Sequence, residues 1–150
     1  MSAITVLISQ TLSQEKLPSW SAKPTPLGYV LKRQKLPAYQ EFDYFYRTLS
    51  KKHQGILHEP FWDILFIIAE LGCLDAVNGR PQAKSVAQVL KSAKPHQDAY
   101  DTFKRASSAV KYSLSEKQQK PLYFKTWGLM QATYEFAYGL ALDQKHQQTG

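Results

Sequence analysis

The chain has 150 residues, 43% of them hydrophobic and 13% aromatic, and a formal net charge of +7 at neutral pH. That length suits one compact domain with a real core. The single cysteine, Cys73, excludes an intramolecular disulfide framework and a Cys-rich zinc site, and it favours a reducing, cytoplasmic setting.

Ile4, Leu7, Ile8 and Leu12 suggest a first helix. Thr, Ser and Gln interrupt that stretch and no cationic region precedes it, so it reads poorly as a secretory signal. Residues 17–37, LPSWSAKPTPLGYVLKRQKLP, hold four prolines and read as a long extended connection within the domain, of the kind that is either functional or pinned by its own aromatics, here Trp20 and Tyr29. Pro37, Pro60, Pro81, Pro95 and Pro121 then each precede a run with helical spacing. The first helical N–H groups lack partners anyway, so each proline marks an expected helix start.

After Pro37, the intervals of three and four between Phe42, Phe45, Leu49 and His53 lay them along one stripe. After Pro60, Phe61, Ile64, Leu65, Ile68 and Leu71 repeat the pattern, with Gly72 as terminator. Residues 61–74, FWDILFIIAELGCL, are too short to span a bilayer and carry Asp63 and Glu70, so they read as a buried core helix. Weaker apolar spacing follows at Val86, Val89 and Leu90, and again at Tyr100, Phe103, Ala106 and Val110. A last helix over roughly 121–143 carries Leu122, Trp127, Met130, Tyr134, Phe136, Ala137, Tyr138, Leu140 and Ala141. Alternating strand patterns with hairpin signals do not occur. The expected fold is all-α, a bundle of about five or six helices forming a single domain over residues 1–150.

Charge is distributed unevenly along this framework. Residues 1–75 hold eight Lys+Arg against seven Asp+Glu, and residues 76–150 hold eleven against five. Such asymmetry points to a polyanionic partner, because a cation near a phosphate releases condensed counterions without reading sequence. Lys84, Gln88 and Lys91 have the spacing of one helix face, and Lys104, Ser108 and Lys111 repeat it one helix later, with Arg105 and the small Ser107 beside them. Lys117 and Lys120 extend this surface on the connection SLSEKQQKP. Tyr112 and Tyr123 flank that connection among polar and cationic neighbours, which makes them the candidates for stacking on unpaired bases. Lysines also keep helix surfaces soluble and, late in a helix, complement its dipole; the scarcity of matching acids in this region is what that alternative leaves unexplained.

Catalytic signatures are scarce. His53, His58 and Glu59 offer metal ligands, but HEPF lacks the second histidine of a zinc helix. Nothing in the sequence asks for a cofactor or metal. RTLSKKH, residues 47–53, places Arg47 and His53 at a separation that resembles the Arg-x(4–6)-His motif of the helical HEPN ribonucleases. That resemblance implies a metal-independent ribonuclease in which Arg47 and His53 polarise a phosphate and assist attack by the ribose 2′-hydroxyl, in a site shared across a dimer. The whole chain, small, basic, helical and without a catalytic motif, looks like the small subunit of multisubunit CRISPR interference complexes. That resemblance implies a non-catalytic subunit that holds single-stranded DNA or RNA through its phosphates, among further copies of itself and other subunits of a ribonucleoprotein. A basic module that meets an acidic protein is the third reading, and none of the three calls for a membrane.

Overall fold

The computed structural model describes residues 35–149, with side chains to residue 144. The expected first helix and all but the end of the proline-rich connection, Trp20 and Tyr29 included, lie outside the described residues. Five α-helices follow: α1 (Pro37–Arg47), α2 (Lys51–Val77), α3 (Val86–Ser92), α4 (Gln97–Lys111) and α5 (Glu116–Thr149), with a 3₁₀ turn at Lys94–His96 before α4. The described residues contain no strand, and the fold is an all-α bundle.

Helix boundaries depart from the proline rule in an instructive way. Pro37 does open α1, but Pro60 and Pro121 lie inside α2 and α5. Both helices start upstream at a serine. The Ser50 hydroxyl accepts the His53 N–H at 3.2 Å, and the Ser115 carbonyl accepts the N–H groups of Gln118 and Gln119. An interior proline forfeits a helical hydrogen bond at a cost of about 3 kcal/mol. Leu57 and Phe61 bury on either side of Pro60, and Leu122 beside Pro121, so packing carries each helix through. Gly72 does not end α2, which runs on to Val77; Gly79, at φ 72°, adopts the left-handed conformation that closes the turn after it. Leu49 and His53 leave the α1 stripe for the same reason: α1 stops at Arg47, Leu49 buries from the turn, and His53 belongs to the first turn of α2.

Packing directions follow from the contacts. Leu57 and Leu122 share one apolar cluster with Phe45, Leu49 and Val110, and further along the same two helices the Cys73 thiol reaches the Ala137 carbonyl at 3.5 Å. The two longest helices, α2 and α5, therefore run parallel. Two shorter helices run against them. Phe42 of α1 packs on Phe61 at 4.7 Å while Tyr46 donates from its hydroxyl to the Gln54 carbonyl at 3.0 Å, and Phe103 of α4 packs on Phe61 at 5.7 Å. One end of the bundle thus gathers the starts of α2 and α5 and the ends of α1 and α4.

The irregular segment between α2 and α3 is fastened to α5 by a polar clasp. The Tyr134 hydroxyl donates to Asp75 Oδ2 at 2.6 Å and accepts the Ala83 N–H at 3.0 Å. Asp75 Oδ1 takes the Arg80 Nε–H at 2.8 Å, and Tyr138 donates to the Arg80 carbonyl at 2.6 Å. Burial, and then the bond to Asp75, push the Tyr134 phenol up to about 12. The neutral phenol is the form the fold requires, so its contribution is complete below pH 10 and is lost as pH rises from about 10 through about 12. Tyr134→Phe is expected to lower stability by about 1–3 kcal/mol at neutral pH, because it strands the Ala83 N–H. Chemical denaturation across pH 7 to about 11 checks both points: the deficit of the variant should shrink above about pH 10, where the unfolded wild-type chain gives up the phenol proton that the folded one still keeps.

Candidate nucleic-acid interface

The cationic residues singled out from the sequence distribute over two places. Lys84 precedes α3 rather than riding on it, so its spacing from Gln88 and Lys91 is not a helical register. Lys91 lies in the last turn of α3, close to the start of α4, where Gln97 Nε2 donates to the Leu90 carbonyl at 2.8 Å. Lys111 ends α4, a helix of 15 residues, so about 20 Å of helix separates the two lysines. The expected pair of adjacent parallel stripes does not form.

The second stripe does form a face with α5. Trp127 sets its ring edge-on to Tyr100 at 6.4 Å and to Phe103 at 6.3 Å, which fixes the side of α4 turned toward α5. Lys104 holds its ammonium 4.5 Å above the Tyr100 ring and 3.7 Å from Asp101 Oδ1. Lys111 follows two turns later on that side, with half-buried Ser107 between them; Arg105 and Ser108 are exposed next to it. Across from these, Lys120, Tyr123 and Trp127 fall at intervals of three and four on α5, and Tyr123 packs against Trp127 at 6.3 Å. Both tyrosines proposed for stacking are on the surface, Tyr112 82% and Tyr123 59% exposed, and Phe124 joins them at 59%.

Lys117 and Lys120 are not on a connection. They stand in the opening turns of α5, which begins at Glu116. That position changes their meaning. Cations near a helix start oppose its dipole, at a cost of about 0.3–1 kcal/mol each, whereas Lys91 and Lys111, in last turns, are favoured there. Lys51 and Lys52, missed by a count over residues 1–75, open α2, and the first turn of α2 holds no acid. Because α2 and α5 are parallel, Lys51, Lys52, Lys111, Lys117 and Lys120 converge at one end of the bundle, all exposed. Glu116 is the acid that accompanies them in the first turn of α5.

Arg47 and His53 do not share a helix. Arg47 ends α1 with its guanidinium 3.1 Å from Asp43 Oδ2. His53, half-buried, sits beyond the intervening turn in α2. Two shallow clefts lie on the α1 side: one of about 500 Å³ between α1 and Lys125, and one of about 610 Å³ lined by Tyr46, Lys51, Gln54, His58 and Glu59 among others. Neither is lined by Arg47 or His53. Among the described residues no three His, Cys, Asp or Glu gather as a metal set, and no helix is long and apolar enough to cross a membrane. Compared with known proteins, the chain matches no family model, no curated protein and no solved structure.

Proposed function

We propose that the protein binds nucleic-acid backbone, without regard to sequence and without catalysis, along the α4–α5 face and the cationic end into which it runs. The observation that carries this reading is the placement of Lys117 and Lys120 in the opening turns of α5, at the same end of the bundle as Lys51 and Lys52 at the start of α2. Helix stability disfavours cations in a first turn, where Lys51, Lys52 and Lys117 stand, so dipole compensation does not account for them. A phosphate backbone does, since it takes its affinity from neutralised charge. Arg105, Ser108 and Lys111 extend the contact along α4, where hydroxyls and cations alike can bond phosphate oxygens.

One copy offers only a few phosphate contacts, and affinities of that kind are about 10⁻⁴–10⁻⁶ M at physiological salt. Several copies on one strand, or further subunits, would raise the effective concentration of each later contact. That is the arrangement of a small subunit in a ribonucleoprotein such as a CRISPR interference complex, and we extend the proposal to it. The expected result is affinity that strengthens disproportionately with strand length, together with a rise in sedimenting mass. A protein that stays monomeric and gains nothing from longer strands would remove the assembly part. Polyglutamate competing as well as the strand would favour an acidic protein as partner. RNA should survive the same incubations; cleavage abolished by Arg47→Ala or His53→Ala would instead establish the HEPN-like ribonuclease, a reading that the placement of Arg47 and His53 on separate helices disfavours.

A further inference from the structure

We infer that the α5 platform takes unpaired strands whose bases have left their own stack, and so prefers flexible pyrimidine runs to stacked adenine runs and to duplex. The inference rests on the backbone-binding reading and adds the class of strand. Tyr123 and Phe124 are each 59% exposed, a large apolar area left in water on adjacent positions of one helix. Their rings stand edge to face, with centroids 5.4 Å and planes 84° apart. A base lying flat on Tyr123 and its neighbour lying flat on Phe124 would therefore be nearly perpendicular. Bases stacked on each other are parallel, so a strand can fill both rings only by giving up its internal stack there.

The surrounding rings offer no parallel continuation. Trp127 is tilted 45° from Tyr123, and it stands 82° from Tyr100. The charge needed to hold the backbone past this corner is close by: Lys120 lies one turn before Tyr123 and Phe124 on α5, and Lys117 nearly one more turn before it. Lys125, by contrast, turns toward α1 and meets Glu41 Oε2 at 3.4 Å, so it serves the bundle. A duplex keeps its base faces covered. An adenine run can expose them only by unstacking, whereas thymine and uracil runs are flexible from the outset.

The experiment compares oligothymidine, oligouridine, oligoadenine and a mixed duplex, each of about 20 nucleotides or base pairs, by fluorescence anisotropy in about 0.15 M salt. Oligothymidine is expected to bind about fivefold or more tighter than oligoadenine and duplex, the least that one seated base contributes. Oligouridine binding alongside oligothymidine would extend the same chemistry to RNA. The double variant Tyr123→Leu, Phe124→Leu should bring oligothymidine down to oligoadenine and leave the salt dependence unchanged; both sites are exposed, so its circular dichroism should match the wild type. Oligoadenine binding as tightly as oligothymidine, or a gap that survives in the double variant, overturns the inference while backbone binding stands. Absence of binding to every strand at low salt overturns the backbone reading itself.

Discussion

Replacing Lys104, Lys111, Lys117 and Lys120 together by alanine is expected to abolish most nucleic-acid binding while leaving the bundle as stable as before. For single strands each phosphate contact contributes about 0.7 to the salt slope. Four contacts account for about 2.8 of that slope, a share that alone makes wild-type affinity fall about 50-fold between 50 and 200 mM salt. The variant should lose that share of the dependence, keeping only what Lys51, Lys52 and Arg105 supply, and should bind each strand more weakly than the wild type by about the same factor. Stability moves by small terms of opposite sign. Lys104 gives up its contacts with Asp101 and Tyr100, at about 0.5–1 kcal/mol each. Lys117 gives up an unfavourable position in the first turn of α5, which returns about 0.3–1 kcal/mol. A titration across salt, beside a urea denaturation, separates the outcomes. A folded variant with unchanged affinity and slope would remove the α4–α5 face as the site.

The part of the site that was legible in the chain is the part that lies within a single helix. Lys104, Ser108 and Lys111 could be read from spacing because they lie within one uninterrupted helix, and Tyr112 and Tyr123 because their neighbours are polar. Lys84 could not, because the run after Pro81 looks helical from its apolar positions alone while residues 80–85 are held in an irregular path by the clasp to Tyr134 and Tyr138. Those hydrogen bonds join residues more than 50 apart in the chain, which no local pattern encodes. Lys51 and Lys52 were hidden differently. Their first-half segment is almost neutral in sum, and they reach the same end of the bundle as Lys117 and Lys120 only through the parallel docking of α2 on α5.

The helical class was legible throughout, since every apolar run carried helical spacing and none carried strand alternation. Boundaries were less so, because proline was read as the strongest start signal. Ser115 followed three residues later by Gln118 is a capping pattern that could have placed the start of α5 correctly; in the structure the Ser115 hydroxyl donates to Gln118 Oε1 at 3.3 Å. Ser50 carries no such partner at His53, and only its capping of the His53 N–H identifies it. Gly72 was read as a terminator for its flexibility. Its actual use is its lack of a side chain, and that points to the second large effect.

Gly72→Ala is expected to cost about 2–3 kcal/mol, near the upper end for overpacked cores. A methyl group at residue 72 would stand 2.7 Å from the Tyr134 carbonyl oxygen, 3.3 Å from the Tyr138 nitrogen and 3.3 Å from the Tyr134 ring. Two of those three atoms are backbone, so no rotamer change relieves the contact. The helices themselves must separate, at the point where α2 and α5 approach closely and where the Asp75–Tyr134 bond closes the clasp. Alanine favours helix over glycine by about 1 kcal/mol, which offsets part of the penalty without reversing it. Cys73 supplies an internal reporter of the separation. Its thiol is fully buried against the Ala137 carbonyl, and burial, with the nearby Glu70 charge, pushes it up to about 12. In the wild type it should react with a thiol reagent only on opening of the α2–α5 contact, because the thiolate is the reactive form. In Gly72→Ala the reaction should accelerate at least tenfold, in step with a loss of more than about 1.4 kcal/mol. Gly55→Ala, at an open position of the same helix, should raise stability slightly and should not accelerate the reaction. Equal thiol reactivity in Gly72→Ala and the wild type, with equal denaturation midpoints, would mean that α2 and α5 do not pack at Gly72 as described.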